Sequence, residues 1–446
     1  MNFNKHRFLL LLIITFAAIV YLLNYINIRQ NPRLTMIGDA QEYLRCAENT
    51  INQRIFYCGN LEEEINYDLF TRRTPFYPLI LIVLLGLTRS ITYISFFQTI
   101  LIFVNAYLLI KILSMRNAGK YRINLIILLY LFYPAQLIYS NIIMTEIVLQ
   151  FLLLSSFFLL LRFESERSNK LLLIYNLLIA MAVLTKPVLL YFWILNCVLQ
   201  LIILGKKSKY LILYSFISLA VIGLWSYRNY RVTGVYHYSS IKNHNLLNYN
   251  VRYLLTKKTN SETAEKRIDE IRMRAKDKDD YRTSYHEIET EAMNIIKTHL
   301  VDYGIYHGQG VFNFFIDPGR FELYNYLGID ESVSFMKLYH ENGYAGIYDY
   351  MQKMPPILVI CLLAITVLNA FLLASFLFYI VKLRRADLCR VYALYIVGII
   401  VYIAFLTGPI GASRFRVPIY PFLLMTIEGV RRKPKTEKIS KMLLNP

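Results

Sequence analysis

The sequence predicts an all-α polytopic membrane protein, and three observations carry that prediction. Of its 446 residues, 56% are hydrophobic and 18% charged, with a mean hydropathy of +0.40; soluble domains sit nearer about 45–50% apolar and about 25% charged. The apolar residues gather in runs that suit a bilayer core about 30 Å thick, at about 1.5 Å per helical residue. Lys and Arg gather in alternate connections between those runs. This pattern excludes a secreted soluble enzyme, a disordered regulator and a disulfide scaffold. The formal charge of +19 also suits a nucleic-acid binder, so the placement of the charges has to decide.

The first span, residues 8–24, follows Lys5, His6 and Arg7. It has no small-residue cleavage site behind it and carries tyrosines at its end, so it reads as an uncleaved span rather than a signal peptide. Residues 25–91 form a first external loop. Within it, 76–87 is apolar but too short to cross comfortably and reads as interfacial or re-entrant. Further spans fall at 91–113, 123–139, 147–161, 171–184, 188–204, 210–226, 357–381, 391–406 and 417–430. As one helix, 171–204 would measure about 50 Å; Lys186-Pro187 breaks it into a membrane hairpin. Ten spans result, in three units: an N-terminal membrane module (1–226), a large, partly helical external loop (227–356), and C-terminal helices with a basic tail (357–446). The charged stretch 257–291 reads as a solvated helical face.

With 76–87 not crossing, the connections holding Arg116, Lys120 and Arg122, then Arg162, Arg167 and Lys170, then Lys206, Lys207 and Lys209, fall on one side. Lys382, Arg384, Arg385, Arg390 and the tail Arg431–Lys441 join them. That is the positive-inside pattern, with both termini cytoplasmic. The basic excess is therefore an orientation signal, and nucleic acid is not a partner. Cysteines are sparse. Cys46 and Cys58 share the external face, where a disulfide is permitted but not required, and no residues have zinc-ligand spacing.

Once direction is set, the ionisable residues at membrane boundaries collect on the external side: Asp39 after the first span, Glu146 opening the fourth, Lys186 at the hairpin apex, Arg414 and Arg416 before the last, and Arg72 and Arg73 ahead of 76–87. Such groups are costly at the lipid boundary unless paired or used. Two acids with several bases suit a phosphate-bearing lipid: bases bind the anion and a carboxylate deprotonates a hydroxyl. Each also has a structural reading. Asp39 can cap a helix, Glu146 can answer a helix dipole, Lys186 can snorkel, and the arginines can be interface anchors. Six of the seven histidines lie in the large loop, where they read as polar surface.

In order along the chain stand Gly38-Asp39-Ala40-x-Glu42-Tyr43-Leu44, Arg73-x-Pro75-x-Tyr77-Pro78, Met144-Thr145-Glu146, Leu184-Thr185-Lys186-Pro187, Trp225-Ser226-Tyr227-Arg228-Asn229-Tyr230 and Arg414-Phe415-Arg416-Val417-Pro418 through Pro421. The set resembles bacterial glycosyltransferase family 39, which includes protein O-mannosyltransferases and is similar to the lipid A aminoarabinose transferases. The resemblance implies the GT-C membrane fold, in the cytoplasmic (inner) membrane with its catalytic face extracytoplasmic. It also implies an inverting sugar transfer from a polyprenyl-phosphate carrier to a lipid, glycan or protein acceptor. By that resemblance Asp39 is the general base and Glu146 the second acid, with Glu where relatives often have Asp. Lys186, Arg414 and Arg416 match donor-phosphate positions, with Tyr43, Arg73 and Arg228 in support. A divalent metal ion would help to hold the phosphate, although no motif marks one. The competing classes are a lipid-linked oligosaccharide polymerase or ligase, and a flippase or transporter. A transporter often carries internal repeats and midplane charges, and neither is visible here.

Overall fold

The computed structural model describes residues 5–204, 206–278, 280–329, 343, 345–346, 348–352, 354–383 and 390–428. Among them the regular structure is helical, with no strand. The chain opens with α1 (Lys5–Gln30), then α2 (Ala40–Gln53), α3 (Phe76–Thr88) and α4 (Thr92–Met115). The long, apolar α1 is the expected first span. The amphipathic α2 buries Ala40, Tyr43, Leu44 and Ala47 on one face and packs along α3. Tyr77, in the first turn of α3, donates to Gln98 of α4 at 2.7 Å. The 13-residue α3 spans about 20 Å, two thirds of a bilayer core.

The run 123–139 is not one helix. It divides into α5 (Lys120–Leu131) and α6 (Pro134–Tyr139). Pro134 lacks a backbone donor and forces Tyr133 into an extended conformation (φ −68°, ψ 122°), which ends α5. Next come α7 (Glu146–Glu166) and α8 (Asn169–Thr185), an antiparallel pair with extensive packing, then α9 (Phe192–Leu204) and α10 (Phe216–Thr233). The large loop holds α11 (Ile241–Asn245), α12 (Arg252–Lys258), α13 (Ser261–Lys276), α14 (Tyr281–Thr298), α15 (Leu300–Ile316) and α16 (Arg320–Leu327). The chain returns through α17 (Pro356–Leu383), α18 (Arg390–Leu406) and α19 (Tyr420–Met425).

The last expected span, 417–430, is also corrected over its described part. Residues Ser413–Ile419 form a 3-10 turn and only Tyr420–Met425 is α-helical, with Pro418 and Pro421 interrupting regular hydrogen bonding. All six residues of α19 are buried, so this segment is the centre of the bundle rather than a lipid-facing wall. The other expected runs coincide with helices, except that 210–226 begins in a 3-10 segment (Lys206–Ser215) and its helix α10 runs on to Thr233; α8, α9 and α18 are apolar helices of 17, 13 and 17 residues.

Five segments are long and apolar enough to cross a membrane: Lys5–Gln30, Thr92–Met115, Glu146–Glu166, Leu211–Thr233 and Pro356–Leu383. Only 11% of the apolar window of the first, and 28% of the last, is buried by protein. Continuous uncovered apolar surface of that extent belongs to a membrane-embedded protein. Inside the bundle, polar side chains pair with one another. Tyr175 and Asn176 of α8 meet Asn196 and Gln200 of α9 at 2.6–3.3 Å, as expected where water is excluded.

The ends of α1, α4, α7 and α9 away from the large loop share one face. Asn124 donates to the His6 carbonyl, Arg167 donates to the Ile203 carbonyl, and Arg116 lies over the Tyr392 ring. The basic loop at 384–389 and the tail beyond 428 lie outside the described residues.

Candidate functional site

At the other end of α7, several chain segments line a cavity of about 940 Å³. Asp39 enters it at the start of α2. Gly38, at φ +60°, turns the chain there, and a Cβ on it would lie 2.8 Å from the Met144 Cε. Asp39 occupies the N-cap position, yet its carboxylate makes no cap hydrogen bond. Instead Oδ1 meets Arg73 Nη2 at 3.0 Å and Oδ2 meets Arg414 Nη2 at 3.1 Å. The capping reading therefore fails, and the carboxylate is directed across the cavity.

Glu146 is the first residue of α7 and is 2% exposed. Its carboxylate takes a hydrogen bond from Lys186 Nζ at 2.6 Å. Lys186 follows α8 in an extended conformation (φ −146°, ψ 125°), the geometry a following proline favours. This swings its side chain inward, 8% exposed, with Nζ 5.0 Å from the Phe415 ring centre, so it does not snorkel to lipid. Arg414 lies over the same ring at 4.9 Å. Arg73 is locked by Glu42 at 2.7 Å and by the Tyr43 ring at 4.9 Å. Thus Asp39, Tyr43, Arg73, Glu146, Lys186 and Arg414 all line one cavity, although 375 positions separate Asp39 from Arg414.

Two expected residues do not join them. Arg416 is 1% exposed and donates to the Phe314 and Asp317 carbonyls at 2.5 and 2.7 Å and to the Tyr133 hydroxyl at 2.8 Å. In a 3-10 turn, residues two apart point about 240° from each other; Arg414 takes the cavity face and Arg416 the core. Arg228 donates to the Phe70 and Phe56 carbonyls and lies over the Trp225 ring, tying α10 to the first loop outside the cavity. Cys46 and Cys58 are buried free thiols.

The sequence reading gave no site role to Glu42 and counted Arg72 only among the boundary charges; the two line the cavity and pair at 3.1 Å. Glu42 is three residues after Asp39, and on a helix that spacing puts both on one face; that was the available signal. It also missed the large-loop wall. His237 and His244, both half-buried, line the cavity with Tyr249 and Tyr285, so these two are not surface decoration, while His286 at its rim keeps an exposed side chain. Tyr139 donates to Glu322 at 3.2 Å, and burial pushes the Glu322 carboxyl up.

Electrostatically, burial by itself would raise the Asp39 carboxyl. Arg73 and Arg414 outweigh that and hold it well below the ordinary carboxylate range. A divalent cation does not fit this arrangement. Asp39, Glu42 and Glu146 are already held by Arg72, Arg73, Lys186 and Arg414, and four bases meet three carboxylates before any ion arrives. Among the described residues no group of three His, Cys, Asp or Glu is placed to hold a metal. What the cavity can accept is an anion, in exchange for a carboxylate. No protein-family model, curated protein or solved structure matches the chain.

Proposed function

We propose that the chain is an integral membrane glycosyltransferase of the GT-C type. It takes a sugar from a polyprenyl-phosphate carrier and transfers it, with inversion, to an envelope acceptor on the extracytoplasmic side. The observation that supports this most is the convergence of Asp39, Glu146, Lys186 and Arg414 in one cavity at one end of the apolar helices. The orientation, with both termini cytoplasmic, is supported by the basic helix ends on the opposite face, about 30 Å away along the 21 residues of α7. On that orientation α2 and α3 lie at the outer interface and ten segments cross or enter the bilayer.

The chemistry follows from the pairing. Arg73 is fixed by three partners, whereas the ion-pair partner of Arg414 is Asp39. The donor phosphodiester carries one negative charge over two free oxygens, one acceptor each for Arg414 and Lys186, and draws them further as its charge rises toward that of a monoester dianion when the bond to the sugar breaks. Asp39 Oδ2 is then released, its proton affinity rises, and it accepts the proton of the acceptor hydroxyl as that oxygen attacks the anomeric carbon. The bond from that carbon to the phosphate oxygen breaks, and Lys186 and Arg414 stabilise the charge growing on the departing polyprenyl phosphate. The apolar rim of Pro187, Val188, Leu190, Leu406 and Ile410 suits the lipid tail and places the scissile bond at the membrane boundary. The base is thereby active only when a donor is bound.

The experiment is turnover of a panel of radiolabelled polyprenyl-phosphate hexoses and pentoses by the purified protein in lipid vesicles. Asp39→Asn should lower transfer by at least about a thousandfold, within the range for a lost catalytic base, while the protein still inserts. Normal transfer by Asp39→Asn, or carrier movement without consumption, would sink the proposal.

A further inference from the structure

The cavity has two chemically different halves. The half around Asp39 and Glu146 is a field of paired charges. The facing half comes from the large loop and bears Tyr236, Lys242, His244, Asn245, Tyr249 and Glu289. Lys242 Nζ binds Glu289 Oε1, so this pair turns no net charge toward a ligand; the other large-loop carboxylate at the cavity, Glu322, accepts from the Tyr139 hydroxyl, and burial pushes it toward its neutral form. His244 is neutral by the same logic. The Asn248 carbonyl oxygen accepts from Arg272 Nη2 at 2.5 Å, which turns the Asn248 amide nitrogen toward His244 Nδ1 at 3.1 Å. Nδ1 therefore accepts, and the imidazole proton sits on Nε2. Burial also pushes the His244 imidazole below its ordinary value. Among the described residues the Asn245 amide makes no hydrogen bond, and the Tyr249 ring is 44% exposed.

An uncharged wall with aromatic faces, a free amide and a neutral imidazole donor binds a molecule with apolar C–H faces and many hydroxyls. We propose that the large-loop wall is the acceptor subsite and that the acceptor group it takes is a neutral pyranose of a glycan. An anionic lipid headgroup would find the Lys242 cation of this wall already taken by Glu289. An extended peptide would meet pockets of hydroxyl-matching chemistry but no row of backbone partners. At about 940 Å³ the cavity is at the large end for a single ligand and holds a donor sugar phosphate and an acceptor ring together. The inference rests on the glycosyltransferase reading for the word acceptor, but the wall and its ligand class are tested without turnover.

Saturation-transfer NMR of the full-length protein in nanodiscs, with a panel of methyl hexopyranosides and an acetylated Ser/Thr heptapeptide as probes, reads the wall directly. The glycosides should show transfer from aromatic protons and the peptide none. Tyr249→Ala and Asn245→Ala should each weaken glycoside binding about five- to tenfold, the scale of one lost contact or hydrogen bond. Tyr249→Phe, which keeps the ring, should retain most of it, and Tyr249 is exposed enough that folding survives. Absent glycoside signals, equal signals in the wall variants, or preference for the peptide would each overturn the proposal. If glycosides bind this wall and no polyprenyl-phosphate sugar is consumed, the subsite stands and the transferase reading falls. If donor is consumed and only the peptide is glycosylated, the subsite falls alone.

Discussion

Asp39 and Arg414 lie 375 positions apart and meet at 3.1 Å, and that contact sets how Asp39 titrates. A carboxyl whose folded value is depressed contributes stability above its unfolded value, near about 3.9, and loses it as the pH falls through the lower folded one. Arg414→Gln removes one of the two opposing charges and moves the folded value up. The acid limb of the kcat/KM profile for transfer should therefore shift to higher pH by roughly one unit, with Arg414→Lys shifting less; an unmoved limb would separate Asp39 from base catalysis. Arg416 shows the opposite case, because its role changed once its contacts were visible. It joins the Ser413–Ile419 turn to α15 and Tyr133, so Arg416→Ala removes three buried hydrogen bonds. The thermal midpoint in detergent should fall, at a cost of about 3 kcal/mol or more, and Arg416→Lys should recover part of it. Loss of turnover with an unchanged midpoint would return Arg416 to the phosphate site.

Among elements, the crossing of α15 over the turn that follows α18 sets the height of Arg414. Gly310 lies so close to this turn that an added Cβ would be 1.5 Å from the Gly408 carbonyl oxygen, and Gly411, at φ +57°, lies 2.4 Å from the Gly310 oxygen by the same measure. Tyr306 donates to the Pro409 carbonyl one turn away. Gly310→Ala should destabilise by at least about 2 kcal/mol. Gly304→Ala in the same helix, with open space around it, should be neutral or mildly stabilising. Equal midpoints for the two variants would show that the crossing is looser than its geometry. The sequence signals for elements were uneven for a physical reason. Apolar runs identified α4, α7, α8 and α17 because each has one dominant environment. The run 123–139 misled because Pro134 breaks a helix without lowering its apolar character.

At the scale of the whole molecule, the site exists only because the first loop, the α7–α8 hairpin, the large loop and the Ser413–Ile419 turn meet at one end of the bundle. The proposed orientation is checked by cysteine labelling. Glu262→Cys, 79% exposed at its side chain on α13, should react with a membrane-impermeant maleimide on intact cells. Asn117→Cys, in the turn after α4, should react only after lysis. The reverse pattern would invert the orientation and remove the cavity from the extracytoplasmic side.

By itself the sequence determined the class of protein, the approximate place of most apolar helices, and the segregation of basic residues to one set of connections. Those properties are local sums over a run, and hydrophobic length and charge bias survive without knowledge of neighbours. It also singled out Asp39, Glu146, Lys186 and Arg414 as charges out of place at a lipid boundary. The tertiary structure alone decided which arginine faces the cavity, because a 3-10 turn separates Arg414 from Arg416 by rotation rather than by spacing. It alone brought Glu42 and Arg72 into the charge network and turned the histidine-bearing loop into a wall. Those outcomes depend on packing between segments far apart in the chain, where a side chain's partner is set by the fold rather than by its sequence neighbours.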